Sequence, residues 1–173
     1  MTLAPPDPAT LGGAHPIRTK FGRRKFDSQP TQAAAVLIAS NGVAIPKAAI
    51  RQALTLAQGE PIAVVTIARI YGSQLGLPNP GLLPTKKEMA EQRTIVEKAV
   101  AAIEKGGSAG WGQIAASRKP GKTMTQAAVA RSVRHVIVVR PEQVRWRQVV
   151  EGDLVKELAR KLGSSVQVEG IYS

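Results

Sequence analysis

The chain has no cysteine among its 173 residues. That excludes disulfides, thiol chemistry and any Cys-based zinc site, and it fits an intracellular address. No apolar run approaches the roughly 20 residues needed to cross a bilayer. The opening stretch MTLAPPDPATLGGAHPIRTK also lacks the apolar centre of a secretion signal, so the expectation is a soluble, cytoplasmic protein. Acid is scarce: 12 Asp and Glu stand against 24 Lys and Arg, a formal charge of +12. Such a surface favours polyanions, with RNA, the ribosome or DNA ahead of an acidic membrane. Histidine is limited to His15 and His135, and neither has a companion at metal-ligand or general-base spacing. No G-x-S-x-G elbow occurs and Ser40 has no evident base, so the expectation is a protein that is not an enzyme and holds no metal.

What is present divides into an arm and a domain. Residues 1–32 contain Pro5, Pro6, Pro8, Pro16 and Pro30, the pair Gly12-Gly13, and the cluster RTKFGRRKF. Arg18, Lys20, Arg23, Arg24 and Lys25 face only Asp7 and Asp27 between Met1 and Pro30. One reading of this arm is a solvated tail. The other is a nucleic-acid or ribosome contact in which the cations neutralise phosphates while Phe21 and Phe26 stack.

Residues 33–173 form a single α/β domain in which short apolar runs alternate with segments of helical spacing; 43% hydrophobic residues suffice for one core. AAAVLIAS (33–40) reads as a strand covered on both faces, stopped by the turn signal Asn41-Gly42. A helix over 46–58 starts with Pro46 at its first position and stops at Gly59. PIAVVTIARI (61–70) is the second strand, and the proline- and glycine-rich 71–84 a long loop. Thr85 and Glu88 are spaced as a capping box for a helix to about 105, with Val96, Ala99, Val100 and Ile103 as its buried stripe. WGQIAASR (111–118) is a weaker third strand. Thr123 and Gln126 suggest another capping box, opening a helix to about Arg134. HVIVVR (135–140) is the clearest strand. A helix over 152–163 follows, with Asp153 as N-cap and Leu154, Leu158 and Leu162 on one face. SVQVEGIY (165–172) alternates apolar and polar, as an edge or interface strand does. The order βαβαβαβαβ predicts a five-stranded, parallel, doubly wound, Rossmann-like sheet that binds ligands beyond the carboxyl ends of its strands.

Two basic stretches are candidates for polyanion contact. Arg118, Lys119 and Lys122 surround a helix start in SRKPGKTMT. Gly121-Lys122-Thr123 there is no Walker motif, because residue 116 is Ala where a glycine is required. Past the fourth strand, Arg140, Arg145, Trp146 and Arg147 combine guanidinium groups with a stacking surface. A solvated basic turn in the first case, and a Trp146 lid with arginines facing water in the second, are the plainer alternatives.

The element order, VLIASNGVAIPKAAIRQAL at the front and a last strand able to pair with its own copy resemble the universal stress protein family over residues 33–173. The resemblance implies the fold, a homodimer through the last strand, and an adenine-nucleotide site at the strand ends. Family members end the first strand in Asp-Gly-Ser; the matching positions here are Ser40, Asn41 and Gly42, where Asn keeps hydrogen bonding and loses charge. The family's G-x2-G-x9-G-[ST] signature, fixed on Gly152, falls on Val139, Glu142, Gly152 and Asp153, so one position of four survives. No glycine occurs from Thr123 to Glu151, and an Asp at a helix N-cap competes with phosphate for the same N–H groups. The resemblance thus implies a stress-type protein with a degenerate ATP motif and no obligatory cofactor. Its leading function is contact with an anionic partner. The alternatives are an adenine-nucleotide sensor using Asn41, Gly42, Arg140, Gly152 and Asp153, or a protein–protein scaffold.

Overall fold

The computed structural model describes residues 32–69, 84–141 and 153–173. The first apolar run becomes β1 (Val36–Ser40), in which every residue is buried because the strand has neighbours on both edges and helices on both faces. It leads through Asn41–Pro46 into α1 (Lys47–Ala57) and then β2 (Ile62–Arg69). α2 (Lys86–Lys105), β3 (Gly110–Ser117), α3 (Pro120–Ala130), β4 (His135–Arg140), α4 (Leu154–Leu162) and β5 (Gln167–Tyr172) complete the order. The five strands are parallel and lie in the order β3-β2-β1-β4-β5.

Strand alternation divides the core into two layers. Val36, Ile38, Ile62, Val64, Ile137 and Val139 pack under α1 and α2 through Ala49, Ile50, Ala53, Val96, Ala99 and Ile103. Leu37, Ala39, Ala63, Val65, Val136 and Val138 point the other way, against Met124, Ala127 and Ala128 of α3 and Leu158 and Leu162 of α4. The chain winds β1-β2-β3 towards one edge, then crosses to β4 and β5 on the far side of β1. The winding direction therefore reverses between β1 and β4, which is where open α/β sheets leave a crevice at the strand ends.

Local chemistry sets most boundaries as the sequence predicts. Thr85 and Glu88 form the complete capping box of α2, and Val96, Ala99 and Ile103 are its buried residues, with Val100 partly buried. Asp153 caps α4 by accepting from the Val155 N–H. α1 ends as Gln58 and Gly59 turn to positive φ of 49° and 87°.

Three expectations need correction. Pro46 occupies the N-cap position with ψ 151°, and its carbonyl accepts from Ala49 and Ile50, so α1 starts one residue later than expected. α3 starts at Pro120, and Thr123 with Gln126 forms no capping box; Pro120 supplies the preset φ of a first helical residue. The Thr123 hydroxyl instead bonds to Ser117 Oγ at 2.8 Å and to the Lys119 carbonyl at 3.3 Å. α3 also stops at Ala130, short of Arg134. Ser132 takes a φ of 53° there, which turns the chain so that Val133 is buried and β4 can start. The long loop expected at 71–84 lies, apart from Pro84, outside the described residues.

Candidate ligand site at the strand ends

At the carboxyl end of β1 the apolar run is broken by Ser40, which is fully buried. Its hydroxyl donates to the Val43 carbonyl at 2.5 Å and accepts from the Val43 N–H at 3.1 Å, folding the chain back on itself. Gly42 sits between them at φ +81°, and a Cβ there would lie 3.4 Å from the Ile67 carbonyl oxygen, so a side chain would be both strained and crowded. The next strand contributes Thr66, also fully buried. Its hydroxyl donates to Gln92 Oε1 at 2.5 Å, while Gln92 Nε2 donates to the Gly42 carbonyl at 3.2 Å. One side chain of α2 thus ties the end of β2 to the turn after β1. Thr66 and Gln92 were not singled out in the sequence. Their only signal there is a lone hydroxyl in the otherwise apolar IAVVTIA.

Across the crevice, Ser40 pairs with Val139, so the Asn41-Gly42 turn and Arg140 leave adjacent strands at the same end of the sheet. Arg140 Nη2 donates to Asp153 Oδ1 at 2.6 Å, and the same oxygen accepts from Val155 N at 3.1 Å. The Arg140 guanidinium lies 6.0 Å from the centroid of the Tyr172 ring. It crosses Gly170, where a Cβ would stand 2.8 Å from Arg140 Nε. Arg140 and Asp153 were both expected at the site, but as separate contacts; the fold makes them an ion pair whose side chains are 20% and 33% exposed. Gly170 and Tyr172, which frame the pair, carry no local mark of that role in the sequence.

The second expected anion site surrounds the start of α3. Arg118, Lys119 and Lys122 are exposed, and the helix has neither a capping side chain nor an acid in its first turn. Ser117 Oγ accepts from the Lys119 N–H at 3.0 Å. The carboxylate of Glu157 from α4 lies over Gly121, 2.3 Å from where a Cβ would be, and pairs with Lys161. The α3 start is therefore partly neutralised by a neighbouring helix.

Arg18, Lys20, Arg23, Arg24, Lys25, Arg145, Trp146, Arg147 and Gly152 lie outside the described residues. Val139, the first glycine position of the family signature, is buried in β4. His135 opens β4, and its Nδ1 is buried without a partner among the described residues. Also among the described residues, no three acidic or histidine side chains gather as a metal site, and no helix is long and apolar enough to cross a membrane.

Neither a family profile nor a curated protein matches the sequence. Solved structures do match the fold. A universal stress protein from Archaeoglobus fulgidus in complex with dAMP is 18% identical with a TM-score of 0.55, over 80% of this chain and 97% of that one. A universal stress protein in complex with cAMP is 13% identical, TM-score 0.54, over 82% and 98%. UspA from Lactobacillus plantarum is 11% identical, TM-score 0.57, over 81% and 97%. Likeness at such identities is a likeness of architecture, and the architecture of this chain is that of the universal stress proteins.

Proposed function

We infer that the chain is a non-catalytic, stress-type binding protein whose ligand, an adenine nucleoside or nucleotide, sits in the crevice between the ends of β1 and β4. The observation that carries this reading is the strand order β3-β2-β1-β4-β5, which puts the winding reversal, and with it the crevice, between β1 and β4. Polar groups stand on both sides of it: the Asn41-Gly42 turn, braced by Thr66 and Gln92, and the Arg140–Asp153 pair. Proteins of the same fold solved with dAMP and cAMP support an adenine ligand. The family's glycine signature is degenerate, so phosphate contact falls to side chains and not to a glycine-rich backbone. To test this, the protein is purified without added nucleotide and denatured, and what it releases is identified by chromatography and mass spectrometry. A near-stoichiometric adenine compound is the expected result; nucleic acid alone would refute it.

A second reading is favoured by charge. The formal charge of +12 and the exposed Arg118, Lys119 and Lys122 suit a polyanion such as RNA, the ribosome or DNA. The basic residues of the arm and of 145–147 would add to that surface. In either reading the chain forms a homodimer through β5, an edge strand with pairing only to β4 in the described sheet. Sedimentation at increasing concentration tests that assembly.

A further inference from the structure

We propose that Asp153 sets the ligand class of the crevice: a group presenting hydrogen-bond donors, with at most one phosphate, in preference to a di- or triphosphate. The inference rests on the nucleotide reading above and specifies it. A bare helix start attracts phosphate, because its first N–H groups have no partners and the helix dipole adds positive charge. At α4 part of that attraction is already used. Asp153 Oδ1 accepts from the Val155 N–H at 3.1 Å and from Arg140 Nη2 at 2.6 Å. One of the first N–H groups of α4 and the Arg140 guanidinium thus share one carboxylate oxygen, and Arg140 and Asp153 together carry no net charge.

The arrangement is held from several sides. Arg140 is the last residue of β4, so its position follows from its pairing with Tyr172 of β5, one residue beyond the ladder to β1. Gly170 has no side chain where the guanidinium crosses β5, with a virtual Cβ 2.8 Å from Nε and 3.2 Å from Cζ. Tyr172 supplies an aromatic surface 6.0 Å away. Asp153 is fixed in turn by its bond to the backbone of α4. Both contacts fall on Oδ1, and no described residue donates to the second oxygen. That oxygen is an acceptor for a ribose hydroxyl or an exocyclic amine. A polyphosphate reaching the same place meets the Asp153 carboxylate and must separate the Arg140–Asp153 pair before Arg140 can serve it as a cation. Adenosine and AMP fit such a site; ATP does not.

The experiment is a calorimetric titration of the full chain, and of its Asp153→Ser and Asp153→Asn variants, with adenosine, AMP and ATP. Serine retains the helix cap, and asparagine retains the shape without the charge, so neither change removes what α4 needs to fold. The wild-type protein binds adenosine or AMP more tightly than ATP. In Asp153→Ser the order reverses, with ATP gaining about tenfold, the upper scale of one charge removed from a helix start, and Asp153→Asn, which keeps the shape of the carboxylate, falls between. ATP binding more tightly than adenosine to the wild type, or the same order in all three proteins, overturns the inference and leaves the nucleotide reading standing. Absence of binding by every compound in all three proteins overturns the nucleotide reading, and the inference with it.

Discussion

Gln92 is the residue on which the geometry of the crevice turns, and its removal has a calculable effect. Thr66 is fully buried and its hydroxyl has Gln92 Oε1 as acceptor at 2.5 Å. Gln92→Leu strands that hydroxyl and releases the Gly42 carbonyl bonded at 3.2 Å. An unsatisfied buried polar group costs about 1–3 kcal/mol, so the variant is less stable by about 2 kcal/mol. Thr66→Val leaves the partly buried amide oxygen of Gln92 without its donor and costs about 1 kcal/mol. Replacing both, as Thr66→Val with Gln92→Leu, removes the polar pair altogether and leaves nothing stranded between β2 and α2. The double variant therefore loses clearly less than the sum of the singles, a coupling of about 1 kcal/mol or more. Urea unfolding at constant slope measures the stabilities, and an adenosine titration measures the site. Stability recovers in the double variant, whereas ligand affinity does not, because the Gly42 turn has lost its tie to α2. Additive losses, or losses below about 0.5 kcal/mol in each single variant, would refute the reasoning.

Three further perturbations separate packing, capping and surface charge. Gly112→Ala places a Cβ 2.2 Å from Val96 Cγ1 and 3.2 Å from Val100 Cγ2, so α2 must shift off β3 at a cost of about 1–3 kcal/mol in thermal unfolding. The three atoms nearest the Cβ of Gly121→Ala are the end of the flexible Glu157 side chain, which can swing aside, so the variant stays within about 0.5 kcal/mol of wild type. Glu88 is held below the usual carboxylate range by hydrogen bonds from the Thr85 backbone N–H and hydroxyl. A depressed carboxyl stabilises above its unfolded value and loses that effect as pH falls through its folded value. Thr85→Ala therefore lowers the thermal midpoint at neutral pH, and the gap from wild type narrows as the pH drops below the ordinary carboxylate range. Changing Arg118, Lys119 and Lys122 to Gln reduces the slope of log affinity for RNA against log salt by about two to three if those residues contact phosphates; an unchanged slope removes them from that role.

The elements with strong local chemistry are the ones the sequence makes legible. β4 and the α2 capping box follow from HVIVVR and from Thr85 with Glu88, whose partners are three residues apart. At α3 the same kind of signal misleads: Thr123 and Gln126 have capping-box spacing, but Pro120 fixes the start earlier, and Thr123 turns to Ser117. The site is legible only in part. Asn41, Gly42, Arg140 and Asp153 are marked by their positions at strand and helix ends, yet nothing local shows that Arg140 and Asp153, 13 residues apart, neutralise each other. The bond from Thr66 to Gln92 joins β2 to α2 across 26 residues and exists only once the helix is laid on the sheet. Likewise Gly170 is just a weak point in an edge strand until the Arg140 guanidinium is seen lying across it.

The half-buried Arg131 is a reminder that cations here serve architecture as well as surface charge. Burial pushes its guanidinium below the ordinary value, while Nη2 bonds to Gln113 Oε1 at 2.7 Å and Nη1 to the Ala127 carbonyl at 3.3 Å. Arg134 pairs with Glu60, and Arg140 with Asp153. The two ion pairs are already cancelled in the formal +12, so of these cations only the half-buried Arg131 is withdrawn from the excess, and most of that excess stays open to an anionic partner. An equilibrium titration with AMP, repeated from roughly 50 mM to 500 mM salt, is the most direct test of the central claim. Saturable one-to-one binding that changes little across that range is the predicted result. No saturable AMP binding, together with RNA binding that collapses as salt rises, would contradict it.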